Sequence, residues 1–592
     1  MGVPGFVAWL RDHFKDRMIL TSLQEKVKIL YIDGNCLVHP KCFEVLANII
    51  DPDITIEKLE NLMFRRICKF INFLVGFVKP EICYFAIDGV GPAAKINQQR
   101  FRRYKSMMDN EIIKKIKNKH KKKSLIEWSN TVITPGTEFM KKLDIFLKQY
   151  FNECREQNPK IQYIYTSYLE PGEGEHKILE HMRNTMVFNI SDISVIYGLD
   201  ADLFFLAMCS NKKNVFLLRE ENQFVNGTVQ KHEIVDIVDD VAEDMRFVSI
   251  DITKECYNIR IKQIVRNRIE QVENYDNHLE NNTLKINNNK INEMKSRDDY
   301  CSDFVFICYL LGNDFIPHLP TIQIKKNGLD IIIDTYVDTY LTLGTPLIEI
   351  TTTNHSNRII KINNIFFIEM LRIFGDLEAV YYNEILPKYE FRNRRKRCTS
   401  SDPYQIDIWE LENMKNIKEI LGISKHDPIM CGHGDKSTWK FRYYDYYFGV
   451  SEHQEDFINL ISMMYVDGLK WVTEYYYNGC PSWKWKFPYI QAPFISDIYM
   501  YLKKTNFDIN EIKFNMGEPL SPERQLLAVL PYSCADLLPK EYRYLMTDAK
   551  SPIIDMYPKK VDLEMIHKDL FRECIPKLPY LDIDRIINAT RK

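Results

Sequence analysis

The 592-residue sequence predicts an α/β fold: a mainly parallel sheet flanked by helices, followed by a helical, aromatic-rich region. Two observations lead there. From residue 1 to about 345, short apolar runs of strand type alternate with segments of helical spacing. Four of those runs are followed within a few residues by acids. In doubly wound sheets ligands gather outside the carboxyl ends of strands, where reversals of strand order open a crevice. Acids at strand ends therefore mark a candidate site as well as a fold.

Taken in order, residues 27–32 (VKILYI) form a short strand ending at Asp33. Residues 59–77 carry Leu62, Ile67, Phe70 and Leu74 at helical spacing and lead into a second strand, with Ile82, Tyr84, Phe85 and Ile87, that stops at Asp88. A Gly-Val-Gly-Pro turn follows, and then a basic segment with Lys95, Gln99, Arg100, Arg102 and Arg103. Residues 161–165 and 193–197 are further strands, and Pro171-Gly172 announces a helix start. Residues 270–297, rich in Asn and Lys, are expected to be a solvated excursion. Residues 346–435 are less patterned and are expected to connect a catalytic region (1–345) to a second region (436–592). The run Arg392-Asn393-Arg394-Arg395-Lys396-Arg397 reads better as an exposed linker than as a nuclear signal or an RNA contact. From Trp439 onward the chain is dense in aromatics, which suits either a core or base stacking.

Composition narrows the classes. With 45% hydrophobic and 27% charged residues the chain reads as globular, and its net charge of −2 excludes a general polycation, so any nucleic-acid contact must be local. Fourteen scattered cysteines without a CxxC pair argue for reduced thiols and against a zinc site. No apolar run reaches the ~20 residues of a membrane span, and the N-terminus lacks the features of a signal peptide.

Seven carboxylates stand out: Asp33 and Asp88 at strand ends, Glu173 and Glu175 in PGEGEHK, Asp200 and Asp202 in YGLDADL, and Asp314 in LLGNDFIPHLP. Each i, i+2 pair is expected to aim two carboxylates at one point from non-helical backbone. Singly each has a plain structural reading as a turn residue, a helix cap or a partner of the helix dipole. Gathered, they would repel and partly neutralise unless cations held them ionised. Oxygen ligands without His or Cys select Mg²⁺ or Mn²⁺. Two such ions ~4 Å apart suit phosphodiester hydrolysis. Between Lys95 and Lys123 twelve Lys/Arg face two acids, Asp109 and Glu111, a one-sign run that points to nucleic acid. Helical spacing places Lys95, Gln99, Arg102 and Arg103 on one face, with the guanidinium forks suited to phosphate.

Long motifs carry a resemblance. The segments MGVPGFVAWL, YIDGNCLVH, AIDGVGPAAKINQQRFRRYKS, ITPGTEFM, PGEGEHKI, YGLDADL, GNDFIPHLP, YYYNGCPSWKWKFPY, LAVLPYSCADLLP and LMTDAKSPIIDMYP resemble, in order, the catalytic core of the Xrn family of 5′→3′ exoribonucleases. The resemblance implies a flap-nuclease or PIN-like core, and two Mg²⁺ (Mn²⁺ substituting) on Asp33, Asp88, Glu173, Glu175, Asp200, Asp202 and Asp314. It also implies a 5′-monophosphate pocket of Lys95, Gln99, Arg102 and Arg103, and a terminal base stacked between His39 and Trp483 or Trp485. The implied substrate is single-stranded RNA bearing a 5′-monophosphate, degraded processively to mononucleotides. A monomeric, cytoplasmic or nuclear enzyme of RNA decay, coupled to a decapping activity, is the implied setting. A compact core-only member rich in Asn and Lys suits a protist or a large DNA virus. Two stretches depart from the family: Lys486 and Ile490 replace aromatic and His positions, and VDLEMIHKDLFRECIPKLPYLDID lacks a Gly-Lys and a tryptophan. The competing readings are a flap-type DNA nuclease and an inactive RNA-binding scaffold.

Overall fold

A computed structural model describes residues 5–49, 51, 53–122, 128–184, 189, 191–221, 243–276, 297–352, 358–423, 426–450 and 454–591. The heart of the Asn- and Lys-rich stretch (277–296) and Lys123 of the basic run lie outside these residues.

Seven strands form one sheet: β1 (Ile19–Leu20), β2 (Val27–Asp33), β3 (Ile82–Ala86), β4 (Gln162–Thr166), β5 (Ile193–Tyr197), β6 (Val215–Glu220) and β7 (Met245–Ser249). Their order is β1-β7-β6-β5-β2-β3-β4. The pairs β6/β5, β5/β2, β2/β3 and β3/β4 are parallel, with Asp33 opposite Ala86 and Ile32 opposite Tyr197. Only the β6/β7 and β7/β1 edge is antiparallel. The mainly parallel α/β sheet read from the sequence is therefore present. The fourth strand runs one residue later than expected, and the antiparallel edge was not anticipated.

Parallel strands are buried on both faces, and the alternation of β2 shows it. Val27, Leu30 and Ile32 enter a core shared with helices α2 (Gly34–Asn48), α3 (Ile56–Val78) and α5 (Glu138–Gln157). Ile29 and Tyr31 face a second, larger core. Helices α1 (Phe6–Met18), α6 (Gly174–Asn184), α7 (Asp202–Cys209) and α8 (Ile250–Asp276) supply that core, together with the aromatic-rich helix Glu455–Tyr477. The aromatic density is thus mostly core: Trp471, Tyr475, Tyr476 and Tyr477 are all buried.

The chain leaves β2 to one side through β3 and β4, then returns to the other side with β5 and β6. That reversal puts a crevice at the carboxyl ends of β2, β3 and β5, where Asp33, Asp88 and Asp200 follow. Helix α4 (Ala93–Lys119) crosses this end. At 27 residues it is about 40 Å long. Its first turns pack through Ile96 against the C-terminal segment 526–586. Its far half packs through Met108, Ile112 and Ile116 against residues 404–421 and 563–574.

Residues 346–435 are more regular than their sequence suggested. They hold the hairpin Ile348–Thr352/Arg358–Ile362 and the helix Asn364–Val380, whose Phe366, Phe367, Met370, Leu371 and Phe374 enter the main core. The signal was there at i, i+4 and i+7, and it was masked by the basic, polar run that follows.

Candidate functional site

Asp33 ends β2 and caps α2, its Oδ1 accepting from the Asn35 amide at 3.1 Å. The Asn35 side chain turns to Asp88, donating to Oδ2 at 2.8 Å while its own oxygen accepts from the Asp88 amide at 3.3 Å. Asp88 Oδ1 in turn accepts from the Gly174 amide at 2.7 Å. Three chain segments are locked together by these bonds. Gly174 is obligatory there, because a Cβ would stand 2.9 Å from the Ala86 carbonyl oxygen and 3.0 Å from Asp33 Oδ1. Lys177, one turn into α6, donates to the carbonyls of Ile87 (2.7 Å) and Ser167 (2.9 Å), clamping the ends of β3 and β4.

The i, i+2 pairs differ from expectation in their backbone. Glu173 precedes α6 and Glu175 lies in its first turn; Asp200 precedes α7 and Asp202 is its first residue. Each pair straddles a helix start, which brings both carboxylates to the positive end of a helix.

One pocket of about 240 Å³ is lined by the acids Asp33, Asp88, Glu173, Glu175 and Asp200 together with Lys95, Gln99, Arg102, Arg103 and His39. Asp314 adjoins it through Lys95, whose ammonium donates to Asp314 Oδ2 at 2.8 Å and also pairs with Glu173 Oε2. Asp202 is buried alongside, close enough to Asp314 to feel its charge. All seven expected acids are thus gathered in or beside this pocket. Lys95 of α4 joins the acids by direct contact.

The electrostatics are those of crowded anions. Burial first, and then the Asp88 charge, push Asp33 up to about 7. Burial and Asp314 do the same for Asp202. Glu175 is raised well above its usual range by burial and by Glu173. Burial would also raise Asp314, but the Lys95 ammonium overrides it and holds that carboxyl well below the usual range. Asp202 Oδ1 is buried with no hydrogen-bond partner among the described residues. Glu173, Glu175 and His176 present ligand atoms within 4.8 Å of one another. An orphaned carboxylate oxygen, mutually raised acids and oxygen-rich donors are what a divalent cation relieves, so these residues fit metal binding.

The basic residues of the same pocket fit an anion. Arg103 donates to the Ile133 carbonyl at 2.9 Å, and its buried Nε has no partner among the described residues. Burial and the neighbouring Arg102 lower it to about 10. His39 lies within α2, and burial, with Arg103 and Arg102, lowers it to about 3, so its ring is neutral. Arg100 points the other way, donating to the carbonyls of Met556 (2.6 Å) and Pro579 (2.7 Å) as a buried tie to the C-terminal segment.

Neither tryptophan lines the pocket. Trp485 stacks on Trp471, centroids 5.2 Å apart, and Trp471 on Tyr475. Trp483 makes no ring pair among the described residues, and its carbonyl accepts from the Ala93 amide at 2.9 Å, at the start of α4. Sequence reasoning missed three supporting residues. Tyr475 donates to Glu173 Oε1 at 2.8 Å. Gln525 accepts from the Gly91 amide at 3.1 Å and donates to Gln99 Oε1 at 3.3 Å. Asn35 was visible beside Asp33, but Tyr475 and Gln525 carry no local signal. The two departures in sequence meet in space: Lys486 donates to the Leu581 carbonyl and sits 4.0 Å from the Tyr580 ring centroid.

Residues 1–221 match the model described as XRN 5′-3′ exonuclease N-terminus, and residues 294–376 and 422–592 match the Xrn1 helical domain. The chain belongs to the Xrn family. It is 29% identical to 5′-3′ exoribonuclease 1 of Homo sapiens, over all of this chain and 34% of that protein. It is 27% identical to 5′-3′ exoribonuclease 1 of Saccharomyces cerevisiae and to 5′-3′ exoribonuclease 2 of Arabidopsis thaliana, over all of this chain and 43% and 67% of those proteins. This Xrn-family chain therefore spans about one third to two thirds of the length of these relatives.

Proposed function

We propose that the chain is a 5′→3′ exoribonuclease that hydrolyses single-stranded RNA bearing a 5′-monophosphate, releasing mononucleotides. The observation that carries this is a pocket lined both by carboxylates and by Arg102, Arg103 and Gln99. The matched family models and the relatives' names support the reaction class, and they do not favour a flap-type DNA nuclease or an inactive scaffold.

Asp33, Asp88, Glu173, Glu175, Asp200, Asp202 and Asp314 would hold two divalent cations, Mg²⁺ by their oxygen chemistry. When bound, the cations supply an activated water and charge stabilisation for the leaving oxygen. The chain's own residues do the selecting. Arg102 and Arg103 grip the terminal phosphate, and a 5′-hydroxyl gives them nothing to hold. A cap or triphosphate adds bulk beyond the one phosphate that these groups grip, and should be excluded. The neutral His39 ring offers a face to the first base, and Trp483, held beside the start of α4, is the better placed of the two tryptophans to close the stack. Lys95 sets the spacing between phosphate grip and acids. A 5′-monophosphate is what decapping leaves behind, so we place the protein after a decapping step, acting as a cytoplasmic monomer. Among the described residues no helix is long and apolar enough to cross a membrane.

The test offers purified protein one RNA with 5′-monophosphate, 5′-hydroxyl or cap, and the matching single-stranded DNA, with Mg²⁺ or EDTA. Rapid loss of the monophosphorylated RNA alone, abolished by EDTA, is expected. Equal loss of all three RNA ends, or indifference to EDTA, overturns the reading.

A further inference from the structure

Gln525 is fully buried on the helix Pro522–Val529. Its neighbours Leu526, Leu527 and Val529 belong to an apolar cluster that also takes Val90 and Ile96, from either side of the start of α4. A primary amide in such surroundings is costly unless its groups are bonded. Both of its ends are. Oε1 accepts from the Gly91 amide at 3.1 Å, and Nε2 donates to Gln99 Oε1 at 3.3 Å.

The direction of these bonds is not a free choice. Gly91 precedes Pro92, the N-cap of α4, so its N–H has no acceptor within the helix. Gly91 is buried, and a backbone N–H can only donate. Gln525 must therefore turn its oxygen to Gly91, which leaves its NH₂ for Gln99. Gln99 can answer an NH₂ only with its own oxygen. One backbone amide thereby orients two side-chain amides in succession.

Gln99 lines the catalytic pocket with Arg102 and Arg103. With its oxygen engaged by Gln525, the part of Gln99 left for a ligand is its NH₂, which makes no hydrogen bond among the described residues. An anionic phosphate needs that polarity. The reversed amide would turn acceptor lone pairs toward the phosphate oxygens, which are acceptors themselves.

We infer that Gln525 is a positioning residue for recognition of the RNA end. Through Gln99 it keeps a hydrogen-bond donor, and not an acceptor, available to the terminal phosphate. The inference rests on the 5′-monophosphate reading above and adds to it the group that fixes the polarity of one phosphate contact. Gln525 is not among the residues that line the pocket, so it acts one side chain behind the substrate.

Kinetics on one RNA bearing either a 5′-monophosphate or a 5′-hydroxyl test this with Gln525→Met, which keeps a side chain of similar length and removes both bonds. The ratio of kcat/KM between the two ends should fall about tenfold, the loss of one hydrogen bond to a charged group. The fall should come through KM and not kcat, as for a lost binding contact. In a Gln99→Met background the same substitution should no longer change the ratio, because its intermediary is gone. Gln525→Glu keeps the shape and the Gly91 bond but cannot donate to Gln99, and it carries the same comparisons if Gln525→Met does not fold. A folded variant with its full end preference overturns the inference, and so does a loss of equal size with and without Gln99, which would mark a packing role alone. An unaltered protein that treats the two ends alike refutes the functional reading itself, and the inference with it.

Discussion

The Tyr475 hydroxyl donates to Glu173 Oε1 at 2.8 Å, across 302 positions of sequence. Through this bond the aromatic-rich region touches the acid cluster itself. Burial and the Glu173 charge raise the phenol well above its usual range, so it remains a donor throughout the working pH. Tyr475→Phe keeps the ring packed against Trp471 and His176 and removes only the bond. Loss of such a supporting partner typically costs about 10–100-fold in metal affinity or activity. The expected result is a higher Mg²⁺ requirement with an unchanged fold, read by titrating activity against Mg²⁺ and by circular dichroism.

Gly174→Ala asks whether the carboxylates need the close approach that a glycine permits. An added Cβ meets the Ala86 carbonyl oxygen at 2.9 Å and Asp33 Oδ1 at 3.0 Å, so Asp33 and α6 must part. Hydrolysis should fall at least a hundredfold by the same supporting-shell scale, with a lowered melting temperature. Near-normal turnover would show that the acids do not act at the separation described.

Asp200→Ala should abolish hydrolysis while binding of 5′-monophosphorylated RNA, measured by fluorescence anisotropy, stays within a few-fold. Arg102→Ala with Arg103→Ala should do the reverse, leaving slow hydrolysis that no longer distinguishes a 5′-monophosphate from a 5′-hydroxyl. Retained end preference in the double variant sinks the pocket assignment.

Stability should depend on pH in a direction set by the raised acids. Asp33 and Asp202 sit near 7 in the fold against about 3.8 for the free side chain. Between those values the unfolded chain has released protons that the folded one retains. In the metal-free protein these two carboxyls therefore take stability away as pH rises from about 4 to about 7, and take no more above that. Buried His39, lowered to about 3, works the other way over the same range, so the carboxyl share is read against Asp33→Asn. In EDTA the melting midpoint of the unaltered protein, relative to that of Asp33→Asn, should be lower at pH 7.5 than at pH 5.5. Mg²⁺ should narrow that change, because bound cations favour the ionised carboxylates. A relative midpoint that rises from pH 5.5 to 7.5 in EDTA refutes the assignment.

Much of this was legible in the chain itself. Strands β2, β3 and β5 announce themselves by apolar runs ending at acids, because a buried parallel strand has no polar face and its exit is the first place a carboxylate can sit. Helical spacing correctly put Lys95, Gln99, Arg102 and Arg103 on one face. The same spacing says nothing of where the opposite face goes, so it left Arg100 without a role, which its carbonyl partners at Met556 and Pro579 supply. Tyr475 and Gln525 were illegible for a related reason: their roles come from contacts made hundreds of residues away. Trp483 and Trp485 are two residues apart, and only packing separates a ring committed to Trp471 from one that is not.

The parts of the pocket are made far apart in time. Gln525 reaches Gly91 across 434 positions, and Arg100 reaches Pro579 across 479. A ribosome delivers Asp33, Asp88 and the arginines of α4 first, and Tyr475, Gln525 and the carbonyls that anchor Arg100 hundreds of residues later. Contacts of such separation close late in folding. A nascent chain thus carries its acids for hundreds of residues before the side chains that support them exist, and the pocket is complete only once the later segments have folded back onto α4.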